Sequence, residues 1–205
     1  MASGPAPLRG LVRRRRLGPA YLEPAQVIDE VDRYLDTADG RLAEARWACR
    51  LRARGERVIV SLKGPPRSGA GGPGLHRRPE VEGPATRSLD PTTWPPSAAR
   101  DRLLEMSAGR PLFERLALHQ RRTQRDVLVG GRVVGELSLD RVRVTRGAER
   151  SGRLWSVELE LSPASASDDA LIAALRIALE QLSGLAPDAQ TKLEHAETML
   201  ADVGA

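Results

Sequence analysis

The sequence predicts an α+β domain whose antiparallel sheet curls toward a barrel, with helices against it. Three observations carry that prediction. In segment after segment apolar and charged residues alternate with the period of a strand. The charged positions come as like pairs on one parity, such as Arg50 with Arg52 or Glu158 with Glu160. Two amphipathic helical stretches, about residues 166–183 and 188–201, close the chain.

Composition sets the outer bounds. At 205 residues the chain suffices for one domain with a substantial core. Its one cysteine, Cys49, excludes an intrachain disulfide and a multi-cysteine zinc site. The opening MASGPAPLRG carries no apolar leader, and no run approaches the ~18 apolar residues of a membrane span. The expectation is a cytoplasmic protein without a membrane partner. A formal charge of +5 favours an anionic partner. Aromatics at 3% count against a nucleic acid, which needs stacking platforms.

The elements follow in order. Residues 6–17 suit a short helix ending near Gly18-Pro19. From Val27, VIDEVDRYLD alternates, and a turn at Ala38-Asp39-Gly40 leads to a brief helix around Arg41–Ala45. WACRLRAR sets Trp47, Cys49 and Leu51 against Arg50, Arg52 and Arg54, and a turn at Gly55 returns the chain through VIVSLKG as a hairpin. PPRSGAGGPG, residues 65–74, is a loop, and LHRRPEVEG places Arg78, Glu80 and Glu82 on one strand face. An irregular Pro-rich stretch, 83–96, precedes an amphipathic helix from about Ser97 to Met106. Strands over about 114–129, 133–146 and 153–161 come before the final helices. With no repeat or linker, the expectation is a single domain: 1–19 a leading helix, 20–161 the strands, 162–205 the closing helices.

In WSVELEL, Glu158 and Glu160 share a face ~7 Å apart, while Val157, Leu159 and Leu161 share the other. The charged parity of the remaining strands collects Arg50 and Arg52; Lys63; Arg78, Glu80 and Glu82; Arg121 and Arg125; Glu136, Ser138 and Asp140. A sheet with one wet face accounts for any single pair. The succession of pairs is harder to explain that way, and a barrel with charges lining its lumen is the alternative. Arginine and lysine suit phosphate oxygens. Grouped carboxylates suit a hard divalent cation such as magnesium or manganese.

These segments carry a resemblance. DRYLDTADGRLAEARWACRLR, VIVSLKGP, HRRPEVE, VVGELSLDRV, WSVELEL and TKLEHA, in that order over roughly 20–200, resemble the CYTH superfamily, the triphosphate tunnel metalloenzymes. The resemblance implies an antiparallel tunnel of about eight strands and divalent-metal-dependent chemistry on inorganic triphosphate, thiamine triphosphate or ATP. It implies phosphate-binding roles for Arg50, Arg52, Lys63, Arg78 and Arg121. Metal-binding roles fall on Glu80, Glu82, Asp140, Glu158 and Glu160, with Lys192 completing a catalytic set with Glu158 and Glu160. Tyr34 and Asp36 match the family's Tyr-x-Asp strand end.

Two positions depart from the family. His119 stands where a lysine or arginine is usual. The family's opening strand with its Glu-x-Glu-x-Lys motif has no counterpart, and Glu23 is the one acid before residue 29. The expected consequence is a barrel one strand short, with edges open to a second copy of the chain. The run of four arginines at 13–16 reads as part of the leading helix rather than a targeting patch. The expected function is metal-dependent hydrolysis of a triphosphate or short polyphosphate. The alternative is a module that binds such anions without turning them over.

Overall fold

The structure is a computed structural model and describes residues 1–203 apart from 3, 66–77, 148 and 183. In chain order it forms α1 (Pro5–Arg13), β1 (Arg16–Leu17), β2 (Ala20–Leu22), β3 (Gln26–Thr37), α2 (Arg41–Glu44), β4 (Ala48–Arg54), β5 (Arg57–Lys63) and β6 (Glu80–Pro84). It continues with a 3-10 turn (Pro91–Thr93), α3 (Ala98–Ser107), β7 (Leu112–Val129), β8 (Arg132–Arg146), β9 (Glu149–Leu161), α4 (Asp169–Glu180) and α5 (Lys192–Val203). The expected α+β class and antiparallel sheet are what the chain forms, with nine strands and five α-helices among the described residues. Two compact units emerge. One comprises Met1–Ile28, Arg121–Val142 and Gly152–His195; the other comprises Asp29–Gln120, Arg143–Ser151 and Ala196–Ala205.

In the second unit β3, β4, β5 and β6 follow one another antiparallel, with β7 on the far side of β3. Their register pairs Leu35 with Cys49, Cys49 with Leu62 and Leu62 with Val81, so one parity is apolar except for Arg33 of β3, opposite Leu51. That parity makes a core of Leu35, Cys49, Leu51, Val58, Val60 and Leu62 against Ala99 and Leu103 of α3, with Leu42, Trp94 and Leu112. Burial pushes the Cys49 thiol up to about 12, so it stays a small apolar group there. Trp47 packs on this core and lies under the Arg102 guanidinium at 5.5 Å. The α3 helix starts where Ser97 accepts from the Arg100 N–H, and α2 starts on Asp36, which accepts from Leu42 and Ala43. Asp36 is therefore a turn-capping residue.

In the first unit β1, β2, β7, β8 and β9 pair in sequence. The β7–β8 hairpin turns on Gly130 and Gly131, both at positive φ, a backbone region costly to other residues. The apolar parity of β9, Trp155, Val157, Leu159 and Leu161, packs with Leu137 and Leu139 of β8 and with Leu171 and Leu175 of α4. Asp168 caps α4 by accepting from the Leu171 N–H. The leading segment differs from the expectation. Its helix ends at Arg13, and the remaining residues form the short β1–β2 hairpin, paired through Leu17 and Ala20 around Gly18-Pro19. Leu11, Leu17, Ala20 and Leu22 all enter the core, which outweighs continuing an arginine-rich helix into solvent.

Candidate functional site

The charged parity of the second unit is an ordered ion-pair row. Register sets Asp32 opposite Arg52, Arg50 opposite Ser61, Ser61 opposite Glu82 and Lys63 opposite Glu80. Arg52 donates to Asp32 through Nε and Nη2, both at 2.7 Å, and lies 3.2 Å from Glu30. Arg54 donates to Glu30 at 2.6 Å. The side-chain amide of Gln120 on β7 donates to both acids, at 3.1 Å to Glu30 and 2.8 Å to Asp32. Arg50 differs. Its Nε bonds Ser61 at 3.1 Å, while its terminal nitrogens stand 3.7 Å from Asp32, 3.8 Å from Glu80 and 3.7 Å from Glu82. Those separations exceed hydrogen-bond length, so Arg50 offers the less committed donors of the row. Lys63 sits 3.1 Å from Glu80.

The first unit holds a second cluster. Arg122 on β7 grips Asp140 on β8 with two bonds, 2.8 and 2.9 Å. Lys192, the first residue of α5, donates at 2.5 Å to Asp140 Oδ2, the oxygen that also accepts from Arg122 Nη2, and lies 3.1 Å from Glu158 on β9. Arg122 is 3.7 Å from the same Glu158 oxygen. Burial alone would raise the Asp140 carboxyl; Lys192 and then Arg122 more than offset it and hold it down at about 2. The Ser162 N–H bonds the Val134 carbonyl, which sets Glu136 opposite Glu160 and Ser138 opposite Glu158 in an antiparallel pair. The 3.5 Å approach of Ser156 to Asp140 fits that register. Glu158 and Glu160 are exposed while Asp140 is fully buried, so the cluster grades from a neutralised floor to open carboxylates.

The predicted residues divide accordingly. Arg50, Arg52, Lys63, Glu80 and Glu82 share the first row; Asp140, Glu158 and Lys192 meet in the second, with Glu160 next along the same strand face. Arg78 lies half-buried just before β6. Two residues of β7 are placed otherwise than expected. Arg121 is exposed, and its neighbour Arg122 is the buried arginine of the cluster. Arg125 is also buried, but its guanidinium is spent on main-chain carbonyls: Glu23 at 2.6 Å, Leu22 and Leu11 at 2.9 Å, Val12 at 3.1 Å and Arg14 at 2.5 Å. It braces the leading segment, with each of its three guanidinium nitrogens bonded to the main chain. His119 lies 3.3 Å from Thr145, and burial with nearby Arg143 lowers its pKa, which keeps it neutral.

Sequence reasoning missed Glu30, Asp32, Gln120 and Arg122. The alternation of VIDEVDRYLD signals the first two, since they share the parity that faces Arg52 and Arg54. Hard carboxylate oxygens at Glu136, Glu158 and Glu160 are chemically suited to a divalent cation. Among the described residues, however, no three His, Cys, Asp or Glu side chains gather closely enough to hold a metal ion by themselves. No helix among the described residues is long and apolar enough to cross a membrane.

Comparison with known proteins bears on these clusters. The CYTH domain family matches residues 20–196. No curated protein matches the sequence. Among solved structures, an adenylyl cyclase candidate from Hippeastrum, HpAC1, described as having a dominant triphosphatase activity, is similar at a TM-score of 0.61 and 15% identity, over 96% of this chain and 92% of that one. An adenylate cyclase candidate from Bacillus halodurans is similar at 0.57 and 16% identity, covering 82% of each chain. The PH1819 protein of Pyrococcus horikoshii OT3 is similar at 0.54 and 16% identity, covering 96% of each. At these identities the likeness is one of fold.

Proposed function

Because the chain belongs to the CYTH domain family, we propose that it hydrolyses a short phosphoanhydride chain, with inorganic triphosphate the preferred substrate. The observation that carries this reading is Lys192, whose ammonium bonds buried Asp140 and reaches exposed Glu158. Asp140 fixes the position of both Arg122 and Lys192 and offsets part of their charge. A phosphate entering beside Glu158 meets two preorganised cations without a long side chain having to be ordered. Arg122 would orient a phosphoryl oxygen, and Lys192 would neutralise charge on the departing phosphate. Glu158 and Glu160, with Glu136 across from Glu160, supply the carboxylates for magnesium or manganese. Magnesium commonly takes one or two protein carboxylates and completes its shell with substrate phosphates and water, so three converging acids are not required. A bound divalent cation would neutralise phosphoryl oxygens and acidify an attacking water. Inorganic triphosphate is preferred over a nucleotide because none of Arg122, Asp140, Glu158 and Lys192 is aromatic, and the described charged row of the second unit offers one ring, Tyr34 opposite Arg50, rather than a stacking platform.

A second reading is a module that binds triphosphate without cleaving it, favoured by the lack of three gathered metal-binding side chains among the described residues. One assay separates the two: phosphate release from triphosphate with magnesium or manganese, against a chelator blank. Metal-dependent release that Glu158→Gln and Glu160→Gln abolish, with triphosphate still bound, supports the hydrolase. Binding without release by the unaltered protein supports the module. Turnover undiminished in both variants would exclude the exposed carboxylates of β9 as the metal-binding groups.

A further inference from the structure

The arginine run at the start of the chain has no part in either cluster. Arg9 and Arg13 stand one helical turn apart on α1, and Arg14, Arg15 and Arg16 continue from it into β1; all five side chains are exposed. Among the described residues, no hydrogen bond or ion pair is formed by any of these five side chains. An arginine-rich tail would ordinarily be a solvated, mobile face. Here the backbone beneath it is pinned. The buried guanidinium of Arg125 bonds the carbonyls of Leu11, Val12 and Arg14 on one side and of Leu22 and Glu23 on the other. The Leu22 N–H in turn bonds the Arg15 carbonyl. Leu8, Leu11 and Leu17 anchor the same segment in the core. The charges are thus carried on a fixed frame, which lowers the ordering cost of binding a polyanion.

We propose that this run is a docking surface for long linear polyphosphate, separate from the Arg122–Lys192 cluster. Arg122 and Arg125 are three residues apart on β7, an odd spacing that puts their side chains on opposite faces of a regular strand. The arginine run braced by Arg125 therefore belongs to the face away from Asp140. The ligand class follows from the side chains. Five guanidinium groups match closely spaced phosphates, and Tyr21, opposite Arg16, is the single exposed aromatic beside them. A single-stranded nucleic acid would call for a row of stacking rings. A membrane surface would call for an exposed apolar helix face, whereas Leu8 and Leu11 of α1 are buried. The choice of polyphosphate rests on the phosphoanhydride reading above.

The test is direct binding, independent of turnover. Fluorescently labelled long-chain polyphosphate, unlabelled triphosphate and a single-stranded RNA of similar charge are titrated against the full chain and a variant with Arg13→Ala, Arg14→Ala and Arg15→Ala. Arg125 binds carbonyls at this segment, so the substitutions spare its bonds, and an unchanged melting temperature checks that they do. The expected result is a loss of about tenfold or more in affinity for long polyphosphate. The slope of log affinity against log salt should also become shallower by about 2, from three lost contacts. Triphosphate affinity should stay unchanged, and an Arg→Lys triple variant should recover most of the loss. Unchanged polyphosphate affinity would overturn the proposal, as would an equal loss for triphosphate. So would RNA binding as tightly as polyphosphate with the same loss in the variant, which would make the run a nucleic-acid surface. Absence of triphosphate hydrolysis would count against the hydrolase reading alone.

Discussion

Asp32 and Arg52 face each other across β3 and β4, and the carboxylate holds the guanidinium by two 2.7 Å bonds. Both side chains are largely withdrawn from water, at 2% and 13% exposure. Removing Asp32 leaves Arg52 with Glu30, at 3.2 Å, as a charged partner that Arg54 already shares, while removing both takes out one charge of each sign. Asp32→Ala should therefore cost about 2–3 kcal/mol in urea unfolding, below the cost of a fully unpaired buried charge. An Asp32→Leu, Arg52→Met pair should recover most of that. If Arg52 also serves phosphate, the double variant will be stable yet bind triphosphate more weakly. Stability and affinity recovering together would make the pair purely structural.

Acid sensitivity should centre on Asp140. Its folded pKa of about 2 lies below the ordinary aspartate value, so its ionised form stabilises the fold above roughly pH 4. That contribution, on the order of 2 kcal/mol, is lost as the pH falls from about 4 through 2. Lys192→Met removes the charge that is the largest single favourable influence on Asp140, so its acid unfolding midpoint should move upward. A midpoint unchanged in Lys192→Met, with the melting temperature at pH 7 preserved, would show that Lys192 does not set the Asp140 charge.

Neighbouring arginines on β7 should behave oppositely. Arg122→Ala takes the two-bond grip off buried Asp140, leaving Lys192 as its cation, and should destabilise by about 3 kcal/mol while weakening triphosphate binding. Arg121→Ala, at an exposed position, should change stability by no more than about 0.5 kcal/mol and leave binding as it was. Calorimetric titration with triphosphate alongside thermal melting reads both quantities.

The difference between these two residues shows where sequence reasoning reaches and where it stops. In ACRLRAR, RVIVSLK and WSVELEL, every second residue is apolar and the phase of the strand is plain. The core of each unit and the charged parity opposite it follow directly. HQRRTQRD offers no apolar residue to set the phase, so counting from His119 selected Arg121 and the fold selected Arg122. Arg125 was beyond reach for another reason. Its partners are backbone carbonyls, which every residue carries, and no side-chain pattern announces them. The β1–β2 hairpin was hidden by its shortness, since two or three residues cannot display a period. Glu30 and Asp32 were legible in the alternation of VIDEVDRYLD, and their importance emerged only with the register that set them against Arg54 and Arg52.

Gly135 on β8 ties packing to the carboxylate row. A Cβ built there would stand 2.3 Å from the Glu160 carbonyl oxygen and 3.0 Å from the Leu161 Cα. Those are main-chain atoms of β9, which cannot rotate aside as a side-chain tip would. Gly135→Ala must push β9 away from β8 at the end that carries Glu160, while Asp140, Arg122 and Lys192 lie farther along the strands. The expected cost is about 1–3 kcal/mol of stability. Divalent-metal affinity or metal-dependent turnover should fall more than triphosphate binding does, because the displaced group is a carboxylate rather than a cation. Gly135→Ala with metal response and melting temperature both intact would mean that β9 shifts without disturbing Glu160, and that the exposed end of the row is not where a cation is held.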